Sequence, residues 1–114
     1  MNKTHIFVFG SNLAGRHGKG AALYAKRNHG AIYGQAYGLQ GLSFAIPTKD
    51  LSLRPLPLEK IEFYVNQFLK FAKENQQYNF NLTRIGCGLA GYKDSQIAPM
   101  FKNAPDNINK PTGW

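Results

Sequence analysis

The fold is decided by one stretch of the sequence, IFVFGSNLAGRHGKGAALYA, which runs from Ile6 to Ala25. Its first four residues are apolar without alternation, which is typical of a strand covered on both faces of a sheet. Glycines at positions 10, 15, 18 and 20 follow, and they allow positive φ angles and the close approach of a ligand. A helix is then predicted, whose free N–H groups and dipole favour an anion. The stretch therefore predicts a strand, an anion-binding loop and a helix in an α/β sheet.

The glycine-rich loop of this stretch is not one of the common nucleotide motifs. No Gly-Lys-Ser or Gly-Lys-Thr closes it, and its glycine spacing does not fit the dinucleotide fingerprint. A glycine-rich connection without a ligand is therefore the alternative to a nucleotide-binding loop. A second glycine-rich loop, residues 86–92, follows another predicted strand and favours the nucleotide interpretation. In the first loop, Arg16, His17 and Lys19 are expected to add side-chain donors.

Length and composition predict a single domain over residues 1–114, because 43% of the residues are hydrophobic. No apolar run approaches the roughly 18 residues of a membrane helix, and no signal peptide is expected before the first strand. Cys87 is the only cysteine, which excludes an internal disulfide and makes a reducing, cytoplasmic setting the default. His5, His17 and His29 lack the spacing of metal ligands, so we expect no metal and no cofactor.

The charge is strongly positive, with 14 Lys and Arg against 6 Asp and Glu. A small basic domain favours a polyanionic partner such as nucleic acid or a phosphate-rich ligand. The alternative is that the charge only keeps the protein in solution. The basic residues are spread from Lys3 to Lys110. This argues against a dedicated DNA-binding arm, but it is compatible with a basic face on the folded domain.

Turn residues and periodicity predict two helices. The first covers about residues 20–28, with Gly30 as its left-handed cap, and residues 31–41 then form a loop or a weak edge strand. The second covers residues 58–76, because apolar residues recur there at three- and four-residue spacing.

Two further strands are predicted at residues 42–48 and 80–85. Pro47 is expected to mark the end of the first of them or an edge position. If that strand runs parallel to the first strand of the chain, the residues that follow it lie at the same rim as the first loop. These residues are Thr48, Lys49 and Asp50.

The last part of the chain predicts a short helix that ends at Phe101 and is capped by Asp94 or Ser95. The residues that follow, up to Trp114, predict no regular element. Trp114 either folds back on the core or stacks on a ligand, and the sequence leaves both open.

Three motifs, in order, resemble the macrodomain family of ADP-ribose-binding proteins. They are GSNL at residues 10–13 with the glycine-rich helix start behind it, Thr48-Lys49, and RIGCGLAG at residues 84–91. The last is similar to the diphosphate loop of macrodomains. The set is most similar to the branch that removes ADP-ribose from carboxylate side chains or DNA bases, in a trimmed form as in small phage or bacterial proteins. The resemblance implies a three-layer α/β/α macrodomain-like fold with a mixed sheet.

The resemblance also implies roles for single residues. Asn12 is expected to hydrogen-bond the distal ribose, although an Asn at a strand end also commonly bonds its own backbone. Lys49 is expected to attack the anomeric carbon, with a solvated lysine as the alternative. A lysine amine attacks only when it is neutral, so it needs desolvation or cationic neighbours, for which Arg16, Lys19 and Arg54 are candidates.

The ligand-binding set implied by the family comes from both loops: Gly10, Ser11, Asn12, Gly18, Lys19, Gly20, Ala21, Gly86, Cys87, Gly88, Leu89, Ala90, Gly91 and Tyr92. Tyr92 either packs against the ribose or belongs to the core. The catalytic acid of the hydrolase branch is matched by Ala90, which leaves Asp50 or Asp94 to replace it. Cys87 is interpreted as a small buried thiol and not as a nucleophile.

Three functions follow as hypotheses. The first is an ADP-ribosyl glycohydrolase that uses Lys49 and acts on an ADP-ribosylated protein or DNA, or on a small ADP-ribose derivative. The second is a reader that binds ADP-ribose without turnover. The third is a basic nucleic-acid-binding domain that does not recognise ADP-ribose.

Overall fold

A computed structural model describes residues 3–114. It contains one five-stranded mixed sheet with helices on both faces, so the predicted three-layer α/β/α architecture is confirmed. The strands are β1 (Thr4–Asn12), β2 (Gly38–Gln40), β3 (Ser43–Lys49), β4 (Tyr78–Leu82) and β5 (Ile108–Asn109). The helices are α1 (Gly20–Asn28), α2 (Leu58–Glu74) and α3 (Asp94–Ile97), and a 3₁₀ turn, Ala98–Phe101, follows α3.

The strand order in the sheet is β2-β3-β1-β4-β5. Strand β1 is central and runs parallel to both β3 and β4, β5 runs parallel to β4, and β2 runs antiparallel to β3. The carboxyl ends of β1, β3 and β4 therefore meet at one edge of the sheet, where open α/β folds bind their ligands. We call this edge the carboxyl edge.

The larger core lies between the sheet and α2. The face of α2 predicted from apolar spacing is confirmed, since Ile61, Val65 and Phe68 are fully buried. The ring of Phe44 lies 4.9 Å from that of Phe68, measured between centroids, and Phe68 lies 5.2 Å from Phe80. These aromatic contacts join α2 to β3 and β4 across the core.

The smaller core lies on the opposite face, under α1. Ala22 and Ala25 pack against Phe9 and Ala45, so the helix approaches β1 and β3 closely. The bounds of α1 agree with the predicted helix, and Gly30 has a φ of 74°, as expected for a left-handed residue after a helix. Within residues 3–114, no helix is long and apolar enough to span a bilayer.

Strands β3 and β4 differ from the prediction at their carboxyl ends. Strand β3 continues past Pro47 to Lys49. Strand β4 ends at Leu82, three residues before the predicted end. It ends there because the Ile85 N–H donates to the Thr83 carbonyl at 2.8 Å, which turns the chain sharply.

The prediction was also wrong about the C-terminal part. A fifth strand is present, and its neighbour Asn107 holds it in place with a side-chain amide that donates to the Ala72 carbonyl at 2.9 Å. Trp114 folds back on the core, with its ring centroid 5.6 Å from that of Phe101. The cap of α3 is neither Asp94 nor Ser95; Lys93 holds the cap position, and its N–H donates to Gln96 Oε1 at 2.9 Å.

Candidate functional site

The three sequence motifs meet at Gly10, near the carboxyl edge. A Cβ placed on Gly10 would lie 3.3 Å from Thr48 Oγ1 and 3.6 Å from the backbone nitrogen of Gly86. A side chain at position 10 would therefore push apart the ends of β1, β3 and the loop after β4. The three motifs were predicted to lie at one edge of the sheet, and in the structure they lie close together around Gly10.

A bulge in β3 sets the position of Lys49. Ser11 pairs with Pro47, but Asn12 pairs with Lys49, so Thr48 is the extra residue. Pro47 has no N–H to donate, and the Thr48 hydroxyl instead donates to the Ser11 carbonyl at 3.2 Å. The bulge therefore accommodates the proline inside a strand and places Lys49 directly beside Asn12.

The side chain of Asn12 closes the first turn of the glycine-rich loop. Its Nδ2 donates to the Arg16 carbonyl and its Oδ1 accepts from the Arg16 N–H, both at 2.9 Å. This is the backbone-bonding alternative raised for a strand-end Asn. One amide hydrogen and one carbonyl lone pair remain for a ligand, but only 5% of the residue is exposed.

The N-terminus of α1 is uncapped. Lys19 holds the cap position and has no side-chain acceptor, so it makes no capping bond. The N–H groups of Gly20, Ala21 and Ala22 donate to no acceptor within residues 3–114. The helix end is therefore a set of free donors at the positive end of the dipole.

The second glycine-rich loop presents a second set of free donors. The loop is closed by the Tyr92 N–H, which donates to the Gly86 carbonyl at 2.8 Å. The N–H groups of Gly86, Gly88, Leu89 and Ala90 find no acceptor in the described part of the chain. A Cβ on Gly20 would lie 3.6 Å from Leu89 Cδ1, so the start of α1 is close to the side chain of Leu89 in this loop.

The expectation that His17 adds a side-chain donor for a ligand was wrong. It is fully buried, and its Nε2 lies 3.1 Å from Gln40 Oε1. Gln40 Oε1 also accepts from the Ile32 N–H at 2.8 Å, so His17 Nε2 must carry the hydrogen. The pair anchors the first loop to β2, a role that no pattern around Gln40 indicates.

The carboxylates that could replace the family acid are both engaged elsewhere. Asp50 Oδ1 accepts from the backbone N–H groups of Ser52 and Arg54, at 2.8 and 2.9 Å, and so holds the turn after β3. Asp94 forms an ion pair with Arg84 at 2.6 Å. Partial desolvation raises the pKa of Asp94, but the facing Cys87, Trp114 and Arg84 outweigh it and hold that pKa below its usual range.

Two side chains of the second loop, those of Tyr92 and Cys87, have structural roles. Tyr92 is half-buried on the larger core, and its hydroxyl donates to the Leu56 carbonyl. Burial raises the pKa of the Cys87 thiol to about 11, and the nearby Asp94 carboxylate adds to the shift. The thiol is therefore protonated at neutral pH, in agreement with its interpretation as a small packing residue.

We expect Cys87 to react slowly with iodoacetamide. Because its pKa is about 11 against an ordinary value of 9.0, the thiolate fraction at pH 8 is lower by about a hundredfold. Alkylation followed by intact mass should show this rate difference relative to free cysteine, and the rate should keep rising up to about pH 11. Alkylation at the rate of free cysteine at pH 8 would contradict the shift.

The surface depressions of the protein do not coincide with the two glycine-rich loops. Two depressions are found, one between α2 and Asp106 and the other beside Trp114, and neither is lined by the first loop or by residues 86–92. The two glycine-rich loops follow β1 and β4, which both end at the carboxyl edge. Within residues 3–114, no three His, Cys, Asp or Glu side chains come together as metal ligands.

Comparison of the sequence with models of known protein families and with curated proteins gives no match.

Proposed function

We propose that the chain binds ADP-ribose, or a close derivative, at the carboxyl edge between the first loop and residues 86–92, and we call this proposed site the ADP-ribose groove. The observation that carries the proposal is that two sets of free N–H donors lie in neighbouring segments, since a Cβ on Gly20 would lie 3.6 Å from Leu89 Cδ1. A diphosphate is the part of ADP-ribose that such donors recognise, because each charge-assisted bond contributes about 1.5–3 kcal/mol. The resemblance to macrodomains in the two loops supports the same ligand.

We further propose that Lys49 cleaves the bond between ADP-ribose and its carrier. Lys49 pairs with Asn12 at the carboxyl edge, where the proposal puts the distal ribose. In its neutral form, the amine bonds to the anomeric carbon as the bond to the leaving group breaks with its electron pair. The amine proton passes to water, and hydrolysis of the adduct releases ADP-ribose and restores Lys49.

A reader that binds ADP-ribose without turnover is the second candidate. It is favoured by one observation, which is that the two carboxylates nearest the motifs are committed to the turn after β3 and to Arg84. Ala90 stands at the family's acid position, so no free acid is at hand in the second loop. A cytoplasmic location is part of either proposal and rests on the lone cysteine.

We expect Ala21→Asp to weaken ADP-ribose binding at least tenfold. A carboxylate in the first turn of α1 would repel the diphosphate, while it stabilises the uncapped helix by about 0.3–1 kcal/mol. Calorimetric titration of the wild type should give a dissociation constant of about 1–100 µM for ADP-ribose, with ADP and NAD much weaker. Thermal melting should show that the variant is as stable as the wild type.

Ala21→Asn is the matched control, because it adds a similar volume without charge and should bind within about threefold of the wild type. The absence of heat at millimolar ADP-ribose would contradict the proposal. Equal affinities for ADP-ribose, ADP and NAD would contradict the assigned position of the distal ribose.

A further inference from the structure

The sheet face on the α1 side is only partly covered. Helix α1 packs on β1 and β3 and leaves β4 and β5 open. Because side chains alternate along a strand, Phe80, Leu82 and Ile108 enter the larger core, and the residues between them point to the other face. The side chains so presented are Asn79, Asn81 and Asn109. With His5 and Phe7 of β1, they form what we call the open sheet face.

The open sheet face carries an ordered row of amides. Asn109 Nδ2 donates to Asn81 Oδ1 at 2.9 Å, and Asn81 Nδ2 lies 3.3 Å from His5 Nδ1. Since an amide nitrogen only donates, His5 Nδ1 is the acceptor in this bond. The row therefore offers donors and acceptors at its ends, of the kind that base edges pair with.

Aromatic rings border this row. Phe7 is the strand neighbour of Asn81, and its ring stacks on His29 at 4.6 Å and lies 5.3 Å from the ring of Tyr24. Half of Tyr24 is exposed, so a flat ring is available at the side of the amide row. Rings of this kind are the platforms on which unpaired bases stack.

Charge is segregated across the sheet. Residues 1–49 contain six Lys and Arg and no Asp or Glu, and this segment supplies β1, α1, β2 and β3. Of the six carboxylates, three lie in α2, one begins α3, and Asp106 lies beside α2, all on the other side of the sheet. Asp50 lies at the carboxyl edge. Lys26 and Arg27, in the last turn of α1, are therefore exposed on a side of the sheet that carries no acidic helix.

We propose that the open sheet face binds single-stranded nucleic acid. Its backbone phosphates would lie along the basic α1 side, and its bases would stack on the aromatic rings and pair with the amide row. Single strands fit better than duplexes, because only unpaired bases expose both their faces and their edges. This surface is separate from the ADP-ribose groove, so a chain that fails to bind ADP-ribose can still bind the strand.

The test is fluorescence anisotropy with labelled 20-nucleotide DNA and RNA strands of mixed sequence, over a series of salt concentrations. We expect binding at 50 mM salt that weakens steeply as salt rises. The double variant Asn81→Asp/Asn109→Asp should weaken binding at least tenfold, because it places two carboxylates on an exposed surface. Tyr24→Ala should also weaken binding, by about fivefold or more.

The matched control is Gln67→Glu/Asn103→Asp, which changes the net charge equally at two exposed positions on the α2 side. It should weaken binding less than threefold. Equal losses in the two double variants would overturn the proposal, as would the absence of binding at 50 mM salt. Displacement of the strand by saturating ADP-ribose would also overturn it, because the strand would then occupy the groove.

Discussion

Replacing Lys49 with alanine is expected to abolish the release of ADP-ribose from an ADP-ribosylated carrier. The expected loss of turnover is at least about 1000-fold, or roughly 4 kcal/mol of transition-state stabilisation. ADP-ribose affinity should change less than about threefold, because the amine acts on the reacting carbon and not on the diphosphate. Release from modified protein, from modified DNA and from ADP-ribose 1″-phosphate is the measurement.

Lys60→Ala is the control for this experiment, since Lys60 is an exposed lysine of α2 and should leave turnover unchanged. Borohydride added during turnover should trap a sugar adduct on Lys49 of the wild type, seen by peptide mass. If Lys49→Ala keeps its turnover, the covalent route is wrong, and Asp50 or Asp94 acting through water is the better explanation. If the wild type releases nothing from any carrier, the reader hypothesis replaces the enzyme.

Gly15→Ala is expected to destabilise the protein by about 3 kcal/mol or more. Gly15 has a φ of 69°, which disfavours any side chain. A Cβ there would also lie 2.5 Å from the carbonyl carbon of Gly34, at a point where the Gly34 N–H donates to the Gly15 carbonyl at 2.7 Å. Neither backbone can move away without breaking that bond. Urea denaturation of the two proteins measures the loss.

Gly18→Ala tests whether the destabilisation by Gly15→Ala comes from the backbone conformation and contacts of Gly15, or whether any glycine of this loop would give it. Gly18 lies in the same loop, but a Cβ on it would meet no atom within 4 Å. Its replacement should change the free energy of unfolding by less than about 1 kcal/mol. Similar losses in the two variants would show that the contact with Gly34 is not what constrains the loop.

Local patterns were enough to predict the elements that carry a repeating signal. Helix α2 follows from the three- and four-residue spacing of Ile61, Val65 and Phe68, and β1 from its unbroken apolar run. Strand β5 has two residues, of which only Ile108 is apolar, so no periodicity exists to detect. Its place in the sheet depends on Asn107, whose amide reaches the carbonyl of Ala72 in a distant helix.

The sequence predicted the sheet edge at which the candidate site lies, but not the detailed arrangement of its residues. The meeting of both loops at one sheet edge could be anticipated from the two strand–loop–helix units, but the strand order could not. The bulge at Thr48 could not, because it depends on the register between β1 and β3. The burial of His17 was missed for a similar reason, since its partner Gln40 lies in a glycine-rich segment with no regular pattern.

The order of strands in the sheet also has a consequence for biosynthesis. Strand β1 is central, yet it precedes its partner β4 by about 70 residues, with His5 paired to Asn79. On the ribosome, the apolar run from Ile6 to Phe9 can pair only with β3 until β4 is complete. Contacts this far apart in sequence slow folding. During synthesis, β1 therefore keeps one unpaired edge until β4 is made, and an unpaired strand edge favours aggregation.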